Sequence, residues 1–267
     1  MRIGVVQMTS TDDVGANLET ARSLVDEAAD RGAGFVLLPE NFAFLRREGS
    51  PVPCAEGLDG EVVETARAMA RQNEVWLLAG SFAEAIDGDS RLHNTSVLVQ
   101  PNGDLAAVYR KIHLFDVDLS SSGGGVFSES RVYAPGKDVV VAPTPFGGVG
   151  LSVCYDLRFP ELYREMAAAG ASWLTVPSAF TPQTGKDHWE VLLRARAIEN
   201  QAFVIAPAQC GRHSPDRASY GRSLIIDPWG IIIAQAGDQP GVIVAECDEG
   251  QLLDVRRSLP ALAHRRL

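Results

Sequence analysis

Val149-Gly150-Leu151-Ser152-Val153-Cys154-Tyr155-Asp156-Leu157-Arg158-Phe159-Pro160-Glu161-Leu162 is the stretch on which the interpretation of the chain rests. Its first residues are apolar or small, which predicts a buried strand. Pro160 suits the first turn of a helix, because its missing N–H would find no partner there. Cys154 is thus predicted at the carboxyl end of a strand, where open α/β sheets place reactive groups. It is a candidate nucleophile, although most cysteines are simply small buried hydrophobic residues.

The length and composition of the chain limit its class. Its 267 residues, 46% of them hydrophobic, predict one domain over residues 1–267. The net charge of −10 disfavours nucleic acid and anionic membranes as partners, because both require a basic protein surface. No stretch approaches the ~18 apolar residues of a membrane span.

The cysteines and the first residues indicate a compartment. The four cysteines lie far apart without CxxC spacing: Cys54, Cys154, Cys210 and Cys247. Such spacing predicts reduced thiols rather than a disulfide framework. The opening residues Met1–Gln7 show no signal-peptide pattern. We therefore expect a cytoplasmic protein.

Strand and helix patterns alternate along the chain in two similar sets. The first set has strands at 2–8, 35–38, 75–81, 93–100 and 105–109, and helices after Asp12-Asp13 and at 60–73. The second has strands at 138–142, 149–153, 172–177, 202–207, 223–227, 231–234 and 242–247, and helices at 160–170 and 187–200. The turn Pro101-Asn102-Gly103-Asp104 predicts an antiparallel hairpin, so the sheets should be mixed. Together these features predict an α/β fold, a four-layer α-β-β-α sandwich.

Two segments do not fit the regular pattern. Residues 116–137, which include the Ser/Gly tract 120–125, are predicted to form a long ordered loop, and loops of this length are usually functional. Residues 252–267 are predicted to be an arm docked on a partner rather than a core helix.

Four residues outside the helices form a candidate catalytic set. Glu40, Lys111 and Cys154 each follow a predicted strand, and Glu129 lies in the long loop. A thiol that is partly ionised near neutrality is a strong nucleophile, and a carboxylate can take its proton and later activate water. Because carboxylates raise the pKa of a nearby thiol, an ammonium is needed to stabilise the sulfur and the oxyanion. Lys111 would supply it, held in its charged form by Glu129, so the set predicts acyl transfer without a metal or cofactor.

Other chemistries remain open at this point. The five histidines show no HExxH motif or close paired spacing, so no metal site is predicted. His113 lies two residues from Lys111 and leaves a Cys–His dyad possible, although a structural histidine is the favoured interpretation. GxGxxG and P-loop motifs are absent. A non-catalytic binding protein with Cys154 as a redox-sensing thiol is the alternative from another class.

Several motifs together resemble one family. They are Leu38-Pro39-Glu40-Asn41-Phe42, Tyr109–Asp116, Leu151–Leu162, Val176–Thr181, His188–Asn200 and Asp227-Pro228-Trp229-Gly230. They resemble the carbon–nitrogen hydrolases of the nitrilase superfamily, in its Nit branch. Ala208–His213 followed by Arg217–Gly221 is most similar to branch members that act on deaminated glutathione. The sister ω-amidases, which act on α-ketoglutaramate, share most of the motifs. The Ser/Gly tract 120–125 and Arg222, where the family usually has His, depart from the pattern.

The resemblance implies a fold, an assembly and a set of roles. The fold is the four-layer sandwich, and the assembly is a homodimer or larger. Cys154 would be the nucleophile, Glu40 the general base, Lys111 the oxyanion stabiliser and Glu129 the supporting glutamate. The backbone N–H of Tyr155 would complete the oxyanion hole. The implied reaction is hydrolysis of a small amide through a thioester.

We also expect the substrate to carry a carboxylate away from its scissile amide. Charge repulsion is screened within about 8–10 Å, so one local arginine can bind an anion despite the net negative charge. Arg158 is the candidate, and an ion pair of Arg158 with Glu161 or a neighbouring chain is the alternative. The predicted walls of the pocket are Phe127, Tyr155, Phe180 and Thr184.

Overall fold

The computed structural model describes residues 1–47, 49–122 and 125–266. Its helices are α1 (Val14–Asp30), α2 (Glu61–Asn73), α3 (Pro160–Ala168), α4 (Pro182–Asn200) and α5 (Glu249–Ser258). The strands of the first half are β1 (Arg2–Gln7), β2 (Phe35–Leu37), β3 (Trp76–Leu78), β4 (Phe82–Ala85), β5 (Leu92–Val99), β6 (Leu105–Arg110), β7 (Asp116–Asp118) and β8 (Val126–Ser128). Those of the second half are β9 (Val141–Thr144), β10 (Gly147–Leu151), β11 (Ala171–Thr175), β12 (Phe203–Ala206), β13 (Cys210–Ser214), β14 (Arg217–Tyr220), β15 (Leu224–Ile226), β16 (Ile232–Gln235) and β17 (Gly241–Glu246).

The strands form two large mixed sheets. Sheet 1 has the order β17-β1-β2-β3-β5-β4, with β6 also paired to β5, and sheet 2 has the order β16-β15-β12-β11-β10-β9. Parallel pairs such as β1 with β2 stand beside antiparallel pairs such as β1 with β17. The predicted mixed sheets are therefore confirmed, and two short hairpins, β7–β8 and β13–β14, lie apart from them.

Alternation of side chains along β2 shows how the layers stack. Phe35 and Leu37 belong to the apolar cluster that also contains Val149 and Leu151 of sheet 2. Val36, between them, belongs instead to the cluster that is formed with α1 and α2. Because successive strand residues face opposite sides, sheet 1 packs on sheet 2 with one face and on helices with the other. The predicted four-layer sandwich is thereby confirmed.

Helix α4 begins earlier than its apolar pattern predicts. The structure has α4 from Pro182, five residues before the predicted start at 187. Thr181 caps the helix, since its side chain accepts a hydrogen bond from the Thr184 N–H, and Pro182 occupies the first turn. This start places Thr181 and Thr184 at the pocket described below.

The two irregular segments have more structure than the sequence indicates. Residues 116–137 include the β7–β8 hairpin and a short 3₁₀ turn at Glu129–Arg131. Of the Ser/Gly tract, residues 123 and 124 lie outside the described residues. The prediction that 252–267 is an arm rather than a core helix is wrong for residues 252–258. They belong to α5, which buries Leu252 and Val255 against its own chain, because these two residues lie on one helical face.

Gly80 holds the end of β3 against the segment that carries Glu40. Its φ is +31°, and a Cβ at this position would stand 1.9 Å from the carbonyl oxygen of Pro39. Only glycine permits this close approach of two backbones. The position of Glu40 is thus fixed by main-chain packing as well as by its own contacts.

Candidate active site

The four predicted catalytic side chains meet in one pocket between the ends of the two sheets. Glu40 follows β2, Lys111 follows β6 and Cys154 follows β10, while Glu129 begins the 3₁₀ turn after β8. All four line a cleft of about 710 Å³, including the part open to solvent, which lies in the range of small-molecule sites.

Lys111 lies between the two carboxylates. Its ammonium donates to Glu129 Oε2 at 2.8 Å and Oε1 at 2.9 Å, and to Glu40 Oε1 at 3.2 Å. Burial alone would lower the pKa of Lys111, but the charges of Glu129 and Glu40 outweigh it and raise that pKa well above its ordinary value. The pocket therefore contains a buried ammonium that stays charged.

Backbone and amide donors fix the carboxylates. Glu40 Oε2 accepts from the Ala179 N–H at 2.9 Å, and Glu129 Oε2 accepts from the Phe115 N–H at 2.6 Å. The buried side chain of Asn94 in β5 donates to Glu40 Oε1 at 2.9 Å and to Glu129 Oε1 at 3.2 Å. Asn94 is a site residue that the sequence analysis missed, because one asparagine within a strand carries no signal of its own.

Cys154 occupies a strained turn directly after β10. Its φ of 51° lies in the left-handed region, which costs of the order of 1–3 kcal/mol for a residue with a side chain. Its N–H donates to the Pro177 carbonyl oxygen at 2.9 Å, and a 3₁₀ turn runs from Cys154 to Arg158. Surrounding contacts therefore hold the thiol in one orientation toward the pocket.

Asp156 ties this turn to the strand that ends at Lys111. The fully buried carboxylate accepts from the Val153 N–H at 2.8 Å and from the Tyr109 hydroxyl at 2.7 Å. It also accepts from the His113 N–H at 3.0 Å. One side chain thus sets the nucleophile turn in register with the end of β6.

The surroundings of Cys154 favour its protonated thiol. Burial raises its pKa, and the negative charge and hydrogen bond of Glu40 raise it further, while Lys111 lowers it. The net direction is well above the ordinary value of a cysteine. This differs from the expectation of partial ionisation near neutrality, because the site combines a desolvated thiol with an adjacent carboxylate. The proton must therefore be removed during attack.

His113 points to Asp156 instead of Cys154. Its Nδ1 lies 2.7 Å from Asp156 Oδ1, and its ring stacks on Phe159 with centroids 3.7 Å apart. These contacts favour the structural interpretation of this histidine over a Cys–His dyad.

Replacement of His113 by alanine is expected to lower kcat/KM by less than about tenfold, since Asp156 keeps its other hydrogen bonds. The main effect should be a lower Tm, because a stacked ring and one hydrogen bond are lost. Steady-state kinetics and thermal unfolding measure both quantities. A loss of activity as large as that of Cys154→Ala would support the dyad instead.

Arg158 and the predicted wall residues all line the pocket. They are Phe127, Tyr155, Arg158, Phe180 and Thr184. The guanidinium carbon of Arg158 lies 5.7 Å from the ring centre of Tyr155 and 5.5 Å from that of Phe180. Its Nη1 lies 3.3 Å from His188 Nδ1, and no ion pair with Glu161 occurs among the described residues.

Among the pocket residues that were not predicted from the sequence are three that could bind an anion or donate a hydrogen bond to it. Arg46 lies in the segment after β2, Tyr133 follows the 3₁₀ turn at Glu129, and Arg217 begins β14. Arg217 belongs to a motif that carried the family resemblance, but the polar hairpin around it shows no strand-like alternation that would place it at the pocket.

Neither a metal cluster nor a membrane span is found in the part of the chain that the structure describes. There, no group of three or more His, Cys, Asp and Glu side chains is arranged to hold a metal ion. None of the helices described combines the length and apolar character required to cross a bilayer.

The sequence model of carbon-nitrogen hydrolases matches residues 2–257 of the chain. The chain belongs to the carbon-nitrogen hydrolase family. The deaminated glutathione amidase of Synechocystis sp. (strain PCC 6803 / GT-S) is 45% identical to this carbon-nitrogen hydrolase over 263 residues, which are 97% of this chain and 96% of the relative. The deaminated glutathione amidase of Homo sapiens is 44% identical over 268 residues, covering 99% of this chain and 82% of the relative.

A solved structure agrees with the sequence relatives of this carbon-nitrogen hydrolase. Saccharomyces cerevisiae Nit3, a member of branch 10 of the nitrilase superfamily, superimposes with a TM-score of 0.88 at 28% identity. The match covers 100% of this chain and 97% of Nit3. The resemblance to the nitrilase superfamily that the motifs indicated is therefore confirmed.

Proposed function

We propose that this carbon-nitrogen hydrolase is a cysteine amidase that hydrolyses deaminated glutathione through a thioester on Cys154. The observation that carries the proposal is the Lys111 ammonium, bound by Glu40 and Glu129 in the pocket of Cys154. The names of the relatives at 44–45% identity support the choice of substrate. Cleavage of this amide would give 2-oxoglutarate and cysteinylglycine.

In the first half of the proposed reaction, Glu40 takes the proton of the Cys154 thiol as the sulfur attacks the amide carbonyl carbon. The Lys111 ammonium and the Tyr155 N–H stabilise the resulting oxyanion. When the tetrahedral intermediate collapses, the carbon–nitrogen bond breaks and Glu40 returns its proton to the leaving amine. Acyl group and sulfur remain joined as a thioester.

In the second half, Glu40 takes a proton from water, which attacks the thioester carbonyl carbon. The same two donors stabilise the second oxyanion, and its collapse breaks the carbon–sulfur bond. The thiolate regains the proton from Glu40, and the carboxylic acid departs. Glu129 keeps Lys111 charged and in place throughout, which its two contacts of 2.8 and 2.9 Å support.

A redox-sensing role for Cys154 is disfavoured by the burial of its thiol and by its raised pKa. Oxidant sensors are exposed thiols with a lowered pKa. Cys154 is buried, and its pKa is raised by burial and by Glu40.

A substrate panel tests the proposal. The wild-type protein and Cys154→Ala would be assayed on deaminated glutathione, α-ketoglutaramate and neutral aliphatic amides, with release of 2-oxoglutarate and of ammonia followed separately. We expect the highest kcat/KM for deaminated glutathione. A higher kcat/KM for α-ketoglutaramate would assign the protein to the ω-amidases, and no turnover of any amide would overturn the proposal.

Arg158 is proposed to bind the carboxylate of the acyl part. Its replacement by lysine is expected to raise KM about tenfold for carboxylate-bearing amides, because a planar guanidinium contact is lost while the charge remains. A neutral amide of equal length is the matched comparison and should be affected far less. An equal increase in KM for the carboxylate-bearing and the neutral amide would assign Arg158 a structural role, and so would a lower Tm with unchanged KM.

Assembly and location are proposed from the surface and the thiols. We propose a homodimer or larger assembly, and the exposed apolar side chains Ile198, Trp229 and Ile231 support it. A Cβ on Gly230 would lie 2.5 Å from Ile198, so the turn with Trp229 lies next to α4. A cytoplasmic location is supported by the four free cysteines.

A further inference from the structure

Three pocket residues that are not members of the predicted catalytic set form a second polar group. Arg46, Tyr133 and Arg217 line the same pocket as Cys154. Arg217 Nη1 donates to the backbone carbonyl oxygen of Arg46 at 2.8 Å, and Arg46 Nη1 donates to that of Ser50 at 3.2 Å. A guanidinium has five N–H donors, so the contact to Arg46 leaves Arg217 able to bind a further acceptor.

Tyr133 is the most informative member of this group. It is 7% exposed, and its hydroxyl makes no hydrogen bond to any residue that the structure describes. The hydroxyl oxygen is not among the fully buried atoms that lack a partner, and Tyr133 lines the pocket, so a bound ligand can reach this donor. Burial and the charge of Glu129 raise the pKa of Tyr133, while the charges of Arg46 and Arg217 act in the other direction. The hydroxyl of Tyr133 is therefore a donor in the pocket that Arg46 and Arg217 also line.

The pocket also continues into a neighbouring groove. Five residues line both cavities: Phe115, Phe127, Ala179, Thr181 and Arg217. The groove follows the hairpin β13–β14, with Pro215, Asp216 and Ala218 among its walls. A substrate longer than a simple amide therefore has space beyond the catalytic residues, and Arg217 stands at the junction.

We propose that Tyr133 and Arg217, with the charge of Arg46 behind them, form a second anion subsite that binds a carboxylate on the leaving-group side of the substrate. A hydroxyl donor beside a guanidinium fork suits the two oxygens of a carboxylate. The leaving amine must depart before water attacks, and the open groove gives it a way out while the acyl group stays on Cys154. The preferred substrates are then extended amides with a carboxylate at each end, one at Arg158 and one at this subsite.

The inference rests on the proposed function for the reaction, and it separates the two candidate substrates. Deaminated glutathione has a terminal glycine carboxylate on its leaving group, whereas α-ketoglutaramate releases only ammonia. The subsite can assist the first substrate alone. Local cations are needed there because Glu40 and Glu129 would otherwise repel an anion within a Debye length of about 8 Å.

The test compares two substrates across three variants. The substrates are deaminated glutathione and its counterpart with the glycine carboxylate converted to a primary amide, both followed by release of 2-oxoglutarate. The variants are Arg217→Met, Tyr133→Phe and, as the matched control, Arg47→Met. Arg47 neighbours Arg46 in sequence and pairs with Asp12 at 3.1 Å, but it does not line the pocket.

Arg217→Met is expected to raise KM for deaminated glutathione roughly tenfold to a hundredfold, and Tyr133→Phe about three- to tenfold. For the amidated counterpart, the increase in KM caused by each variant should be at least fivefold smaller. Arg47→Met should change the KM of either substrate by less than about twofold. Tyr133→Phe removes one oxygen and keeps the ring, so this variant should stay folded. It therefore still tests the subsite if Arg217→Met lowers the Tm.

Equal losses on the two substrates would overturn the subsite and leave both residues as supports of the pocket wall. The outcome is separable from failure of the proposed function. If the wild-type protein hydrolyses neither substrate, calorimetric binding of N-glutarylalanylglycine, whose carboxylate lies as far from the amide as in deaminated glutathione, to Cys154→Ala, with and without Arg217→Met, tests the subsite alone. Binding that Arg217→Met weakens and Arg47→Met does not would support it, and equal binding would contradict it.

Discussion

Cys154→Ala is expected to lower kcat by more than about 10⁴-fold, because no other side chain can form the thioester. Cys154→Ser should be similarly inactive, since a hydroxyl is a much weaker nucleophile at neutral pH than a thiol. The fold should survive, because the left-handed φ of 51° at this position is already occupied by a residue with a Cβ.

Single-turnover kinetics and mass spectrometry of the quenched wild-type enzyme provide the measurement. The substrate-derived acyl group should be found on Cys154. Cys210→Ser and Cys247→Ser serve as matched controls and should retain the adduct. An acyl adduct on Cys210 or Cys247, with Cys154 unmodified, would identify that cysteine as the nucleophile instead.

Glu40→Gln and Lys111→Met are each expected to lower kcat by about 10²- to 10⁴-fold. Glu40→Gln keeps the shape of the side chain but cannot accept the proton of the Cys154 thiol, whose pKa is raised by burial and by Glu40. Lys111→Met removes the cation of both oxyanion steps. Saturating kinetics on deaminated glutathione, with a measured Tm for each variant, checks the prediction.

Lys111→Met needs its own control, because it also leaves two carboxylates together without a cation. Uncompensated buried charge costs of the order of 3–5 kcal/mol of stability. The double variant Lys111→Met/Glu129→Gln removes one of those charges and should recover Tm but not activity. Recovery of activity to within tenfold of wild type would show that Lys111 is only structural.

The meeting of the four predicted catalytic residues in one pocket could be expected from the sequence, because strand ends are local features. An apolar run that stops at Pro39-Glu40, or at Cys154 before a helix start, is visible within about ten residues. Asn94, Arg46, Tyr133 and Arg217 were missed because only tertiary packing brings them to the pocket.

The errors in the fold have similar causes. The hairpin β13–β14 was not predicted, since Cys210–Ser214 and Arg217–Tyr220 are too polar to show an apolar period. The start of α4 was placed too late because it is set by a single capping residue, Thr181. Helix α5 was missed because only two of its apolar residues, Leu252 and Val255, are buried in an otherwise charged segment. The effect of the carboxylate on the pKa of Cys154 was expected from the sequence, but the larger effect of burial was not, since desolvation of a thiol is a property of the packed state.

The pairing of β1 with β17 governs the order in which the molecule can be assembled. Arg2 lies opposite Glu246, so closing this edge joins residues 244 positions apart. Because β1 is synthesised before β17, its edge stays without this partner until residues 241–246 have left the ribosome. Such a long loop closure is slow, and the exposed edge is a point for wrong pairing. Sheet 1 therefore reaches its full width only when β17 pairs with β1, and until then the edge of β1 is open to other strands.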